Sequence, residues 1–198
     1  MNFDDYIPYI GILITVISFI GFCVENIWLA LTKGYIDNRN MTLPFLLGYG
    51  LFVTAFGFAF GTPDNFTFFG LNPDFSLGMS RIMYFTVAFV VICAGEHLLG
   101  KLVEKICGIE YWNYERLPLK LSKYTTIPTS IGFALALTFF MSYCCTRIMR
   151  LIMNINKNAA ASISVVSIAA LLIDFIKSFS VMHKERRLNE KWRITLKR

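Results

Sequence analysis

The chain has 198 residues, of which 56% are hydrophobic and 16% charged, with a net charge of +6. An ordinary soluble domain carries roughly 25% charged residues. These proportions exclude a disordered chain and leave too few charges to coat a soluble globule. The basic excess does not point to nucleic acid, because no soluble domain presents it.

Uncharged stretches mark the elements in chain order. Residues 6–24 carry no charge, and Glu25 then interrupts an apolar run that continues to Leu31, which predicts a first span at about 7–31. A helix needs about 20 residues to cross the hydrocarbon core. Asp4 and Asp5 precede this run, where a cleavable leader would carry basic residues, so it is read as a span. Residues 40–63 are uncharged and predict a second span at about 43–61. Gly57 and Gly61 form a GxxxG pattern there, a small-residue face for packing within the monomer or for a homodimer seam. A loop rich in Phe follows, with Phe66, Phe68, Phe69 and Phe75. Further uncharged runs predict spans at about 80–102, 125–146 and 159–179. The tail 183–198 is basic, with Leu188, Trp192 and Ile194 interleaved. It reads either as a short helix on an anionic leaflet or as a solvated tail. The runs are continuous, which suits helices and not the alternating strands of a barrel. The fold class is therefore all-α: a polytopic integral membrane protein with five transmembrane helices in one domain over 1–182, followed by the basic tail.

Basic residues orient the chain. With five spans, one side carries four of the 19 Lys and Arg: Arg81, Arg147, Arg150 and Lys157. The other fifteen fall in loops one and three and the C-terminal segment, so the N-terminus is expected outside and the C-terminus in the cytoplasm of a cell bounded by a plasma membrane.

Ionisable groups at membrane depth are costly and mark candidate sites. Glu25, Glu96 and Asp174 are such groups, and in this topology all three lie in the cytoplasmic half. Arg39, His97, Lys101 and Lys177 lie near that level as cationic partners. The layer has three readings: a polar transport or binding cavity, a structural ion-paired contact, or a catalytic site with Glu25 or Glu96 as base and His97 as proton carrier. No metal or cofactor is expected. Cys23, Cys93, Cys107, Cys144 and Cys145 include no CxxC spacing, which a zinc or redox motif would need. Gly95 to Lys101 imitates a phosphate-binding loop, but Leu102 stands where Ser or Thr must hold magnesium, and no strand precedes it.

Two stretches resemble a bacterial membrane family. The first is Gly21-Phe22-Cys23-Val24-Glu25 followed by Asn38-Arg39; the second is Glu96-His97-Leu98-Leu99-Gly100, then Glu104, then Trp112-Asn113-Tyr114. They are similar to the motifs of the ABC transporter permease, type IV (CmpB-like) family, over roughly residues 10–115. Asn40 stands where that family has Gly, His97 where it has Tyr and Asn113 where it has Asp. The Pro- and Gly-rich segment is shortened to Pro44 through Gly50, and the last two spans carry no matching motif. The resemblance picks out Glu25 and Glu96 and adds Arg39, Glu104 and Trp112 at the cytoplasmic face. It implies a permease subunit. ATP use would then need a separate ATPase subunit docking on loops one and three. Five spans make a small translocation path, so a homo-oligomer is expected. The competing expectations are a membrane assembly factor and an intramembrane enzyme acting on a lipid headgroup.

Overall fold

The computed structural model describes residues 6–196. Asp4, Asp5, Lys197 and Arg198, used above for the leader and the charge balance, lie outside the described residues. The chain is all-α apart from three two-stranded ribbons among the described residues. Among the described residues four helices are long and apolar enough to cross a membrane: Ile7–Lys33, Leu77–Cys107, Ile127–Ile152 and Lys157–Glu185. The first (α1) ends at Gly34, whose φ of 72° breaks the helix at low cost. The Leu77–Cys107 helix starts at Ser76, whose hydroxyl accepts from the Met79 amide. The third is built of α4 (Ile127–Phe140), a π turn at Met141–Cys145 and α5 (Thr146–Ile152). The fourth long helix runs six residues past the expected end of its span, to Glu185.

The fifth helix differs from expectation. It is α2, Leu47–Phe60, with 14 residues. At about 1.5 Å per residue it reaches about 21 Å, short of a hydrocarbon core about 30 Å thick. Residues 41–46, which include the first four residues of the expected span, are irregular backbone. Pro44 sits among them, and proline disfavours helix at the residue before it.

The chain divides into two compact units. One holds residues up to Thr54 and those from Ile148 onward, and the other is Ala55–Arg147. In the first, α1 and α6 (Lys157–Glu185) run parallel. At one end the Ser164 hydroxyl donates to the Pro8 carbonyl (2.6 Å) and the Tyr9 hydroxyl to the Ile155 carbonyl (3.2 Å). At the other, β1 (Tyr35–Asp37) pairs antiparallel with β6 (Arg193–Thr195). Part of the tail, β6, therefore lies along loop one, with all three of its residues exposed. Ile14, Leu47 and Leu171 form the buried apolar centre, with Ile10, Phe45, Ile168 and Phe175 against it. After β1 the chain turns back along α1, since the Leu46 amide donates to the Ser18 carbonyl (3.0 Å). Gly50 then lies so close to α1 that a Cβ would stand 2.3 Å from the Ile14 carbonyl oxygen.

In the second unit, α3 (Leu77–Cys107) and α4 form an antiparallel hairpin. It is joined by a loop with the small ribbon β4 (Lys120–Ser122) and β5 (Thr125–Thr126). Before α3, the ribbon β2 (Gly61–Thr62) and β3 (Asn65–Phe66) is tied to that helix by the Phe66 amide, which donates to the Ser80 hydroxyl (2.8 Å). Phe66 stacks between Phe60 and Phe75, and is itself buried.

Candidate functional site

In the first unit, Glu25 lies eight residues before the end of α1, about 12 Å along the axis. One turn earlier, Gly21 leaves room for an aromatic ring, and a Cβ there would stand 2.6 Å from Cγ of Tyr49. The Tyr49 hydroxyl donates to Glu25 Oε1. The other carboxylate oxygen pairs with Arg39 Nη2 at 3.1 Å, and Arg39 Nη1 reaches Asp37 Oδ1 at 3.7 Å. The pair is mostly withdrawn, with side-chain exposures of 20% for Arg39 and 17% for Glu25.

The loop carrying Arg39 is held by side chains. The Asn26 carbonyl oxygen accepts from the Asp37 amide (2.8 Å), and Asp37 Oδ1 accepts from the Arg39 amide (2.8 Å). Arg39 and Asn40 both have positive φ, 47° and 64°. Asn tolerates that region best after Gly, which explains how Asn40 occupies the position where the resembling motif has Gly. Buried Asn38 donates to the Met41 carbonyl (2.7 Å) and the Asn189 carbonyl (2.8 Å), and accepts from the Lys191 amide (3.0 Å). Asp174, 7% exposed, accepts from the amides of Thr42 (3.1 Å) and Leu43 (3.0 Å). Asp174 thereby satisfies two backbone amides of the irregular segment preceding α2.

In the second unit, Glu96, Gly100 and Glu104 stand four residues apart on α3 and share one face. Residues 123–125 lie along that face. The hydroxyls of Thr125 (2.8 Å) and Ser130 (2.9 Å) donate to Glu96 Oε2. Tyr124 lies over Gly100, where a Cβ would stand 2.3 Å from its Cγ. Its hydroxyl donates to Glu104 Oε2, and Lys123 Nζ pairs with Glu104 Oε1 at 2.5 Å and Glu110 Oε1 at 2.9 Å. Trp112 Nε1 donates to the Tyr124 carbonyl at 2.8 Å. The Lys123 hydrogen bond, then that of Asn113, holds the Glu110 carboxyl below its usual range. Bonds to Glu104 and Glu110 push the Lys123 ammonium up, and burial followed by the bond to Glu104 pushes the Tyr124 phenol up.

A protein family described as "putative ABC-transporter type IV" matches residues 12–179. The chain belongs to that family. No curated protein and no solved structure matches it. Family membership and the apolar helices make it a transport-related membrane protein. The match extends well past the motifs near residue 115, through the third long helix and into the fourth as far as residue 179.

Other expected residues of this type IV family member stand apart from these clusters. His97 is half-buried beside Glu96, but adjacent residues on a helix point about 100° apart and do not face each other. Lys101 is exposed. Gly57 packs near Met141, and a Cβ on it would stand 3.0 Å from the Met141 Cε. Gly61 has left the helix: its φ is 69°, and it turns the chain into β2. The pair therefore does not make one helical face. Among the described residues no group of three or more His, Cys, Asp or Glu could hold a metal ion.

Sequence reasoning missed Tyr49, Tyr124, Thr125, Ser130 and Asn189. One signal was present. Gly21 precedes Glu25, and Gly100 precedes Glu104, by four residues in each case. A missing side chain one turn before a carboxylate leaves space for a ring whose hydroxyl reaches the acid. Both units carry this clasp, and each adds a cation: Arg39 in one and Lys123 in the other.

Proposed function

We propose that the chain is the permease subunit of an ATP-driven transporter and that Glu25, Arg39, Asp37 and Tyr49 form its polar site in the cytoplasmic half of the membrane. The observation that carries this reading is the Glu25–Arg39 pair, withdrawn about 12 Å from the end of α1 beside a discontinuous second crossing. Transporters place substrate sites where membrane helices are interrupted. An unbroken structural helix would need no such interruption.

The proposed topology has five crossings, the N-terminus outside and the C-terminus in the cytoplasm of the plasma membrane. The parallel α1 and α6 support it. Four crossings would leave these two helices antiparallel. Residues 41–46 with α2 therefore count as the second crossing. The β1–β6 ribbon supports loop one and the tail on one face, in keeping with the fifteen basic residues assigned there. ATP would be used by a separate ATPase subunit docking on loops one and three, and the permease would act as a homo-oligomer.

Affinity purification in mild detergent tests this reading. A stoichiometric ATPase should co-purify. Glu25→Gln should leave that ATPase bound while changing its hydrolysis rate. Absence of any ATPase, or transport by the isolated chain in liposomes, would defeat it. The repeated Gly–Tyr–Glu clasp favours a second reading, in which these acids only brace the helices. In that case Glu25→Gln lowers abundance and leaves the rate per complex unchanged.

A further inference from the structure

Beside the polar site lies a cavity of about 230 Å³ lined by Phe22, Asn38, Thr42, Leu43, Pro44 and Trp192. It is smaller than the roughly 300–1,000 Å³ pockets that enclose a drug-sized ligand. Its walls have two characters. Phe22, Leu43 and Pro44 are apolar, whereas Thr42 and Asn38 are polar. Thr42, Leu43, Pro44 and Trp192 are all exposed on the protein surface, so the cavity opens outward from the first unit.

The polar end has donors to spare. Asn38 is committed to three backbone partners. Lys191 Nζ, however, donates to Thr42 Oγ1 at 2.6 Å. An ammonium has three donors, and a hydroxyl that accepts one keeps its own O–H to give. A cation and a hydroxyl donor thus meet at one point beside an apolar wall. The surrounding tail is basic: residues 184–196 contain five Lys or Arg against two Glu. Those two acids are paired with Arg187 and Arg193. Trp192, an amphipathic ring favoured at membrane interfaces, is 41% exposed beside them.

We infer that this cavity binds the phosphate end of an anionic phospholipid, with Lys191 and Thr42 on the phosphate and Phe22, Leu43 and Pro44 against the start of the acyl chains. Charge complementarity selects an anionic lipid. The exposed apolar wall on a membrane-spanning unit selects a lipid over free phosphate. The site is separate from the Glu25–Arg39 pair and does not depend on what that pair carries.

The test uses the full chain in phosphatidylcholine vesicles doped with phosphatidylglycerol or phosphatidylcholine brominated near the headgroup. The signal is the quenching of tryptophan emission that is present in the wild type and lost in Trp192→Phe. Half-quenching should need about fivefold less brominated phosphatidylglycerol than brominated phosphatidylcholine, the factor expected for one basic residue at an anionic surface. Lys191→Met should abolish the preference. If Lys191→Met lowers the unfolding midpoint, Thr42→Val takes its place with the same expectation. Inorganic phosphate should not relieve the quenching. Equal quenching by the two lipids, a preference that survives both substitutions, or relief by inorganic phosphate would each overturn the assignment.

Discussion

Gly100→Ala gives the sharpest test of how the second unit is held together. A methyl at this position would stand 2.3 Å from Cγ, 2.5 Å from Cδ1 and 2.8 Å from Cβ of Tyr124. These are the atoms nearest the Tyr124 backbone, so rotating the ring away cannot relieve the clash. Tyr124 is 1% exposed, and the whole residue must shift. That shift strains the bond from its hydroxyl to Glu104 and the bond from Trp112 to its carbonyl. Overpacking costs about 1–3 kcal/mol, and loss of a hydrogen bond to a charged group about 1.5–3 kcal/mol. The helix gains about 1 kcal/mol when Gly becomes Ala. The net is a destabilisation of about 1.5–5 kcal/mol. Gly95→Ala, on the same helix, meets nothing within 4 Å and should stabilise by about 1 kcal/mol. Unfolding by sodium dodecyl sulfate from a mild detergent, followed by circular dichroism, measures both. Equal stabilities for the two variants would refute the clasp. A double-mutant cycle with Glu104→Gln should also be non-additive, because both changes break one contact.

Asp174→Ala strips two backbone amides of their acceptor and should cost about 2–5 kcal/mol in the same unfolding assay. Asp174→Asn keeps a carbonyl acceptor and should cost clearly less; equal losses would mean that the charge and not the capping matters. Asn40→Val places a branched residue at a φ of 64° and should cost about 1–2 kcal/mol, whereas Asn40→Gly should lie close to wild type. Hydrogen-exchange protection factors of residues 109–126, the intrinsic rate at each pH over the observed rate, should be largest at intermediate pH. Glu110 is held below its usual range, so its contribution is present above the ordinary carboxylate pKa of about 4.3 and fades as pH falls through the lowered value. Lys123 is raised, so its contribution is present below about 10.4 and fades as pH rises through the raised value. Glu110→Gln should blunt the acid limb, and an unchanged acid limb would remove Glu110 from the account.

Much of the architecture was legible because its cause is local. A stretch without charge long enough to cross lipid is a property of consecutive residues, so the four long helices could be read directly. The second crossing could not be read the same way. Residues 41–46 are as uncharged as a helix would be, and Pro44 was the one sign that the backbone departs from it. The partner of Glu25 could be read in part, since Arg39 follows it in the same motif. The partners of Asp174 could not. They are backbone amides 131 and 132 residues away, and a backbone amide leaves no mark in composition.

The sequence by itself determined the membrane class, the long helices and the family, because apolar runs and motif spacing act along the chain. It also placed Glu96, Gly100 and Glu104 on one face, since helical periodicity needs no tertiary contact. Only the tertiary structure decided what meets that face. It likewise decided that the tail closes over loop one and that an aspartate deep in α6 caps the segment before α2. The first depends on how the chain returns 19 to 34 residues later, the other two on surfaces that meet across more than a hundred residues, and no local rule contains either distance.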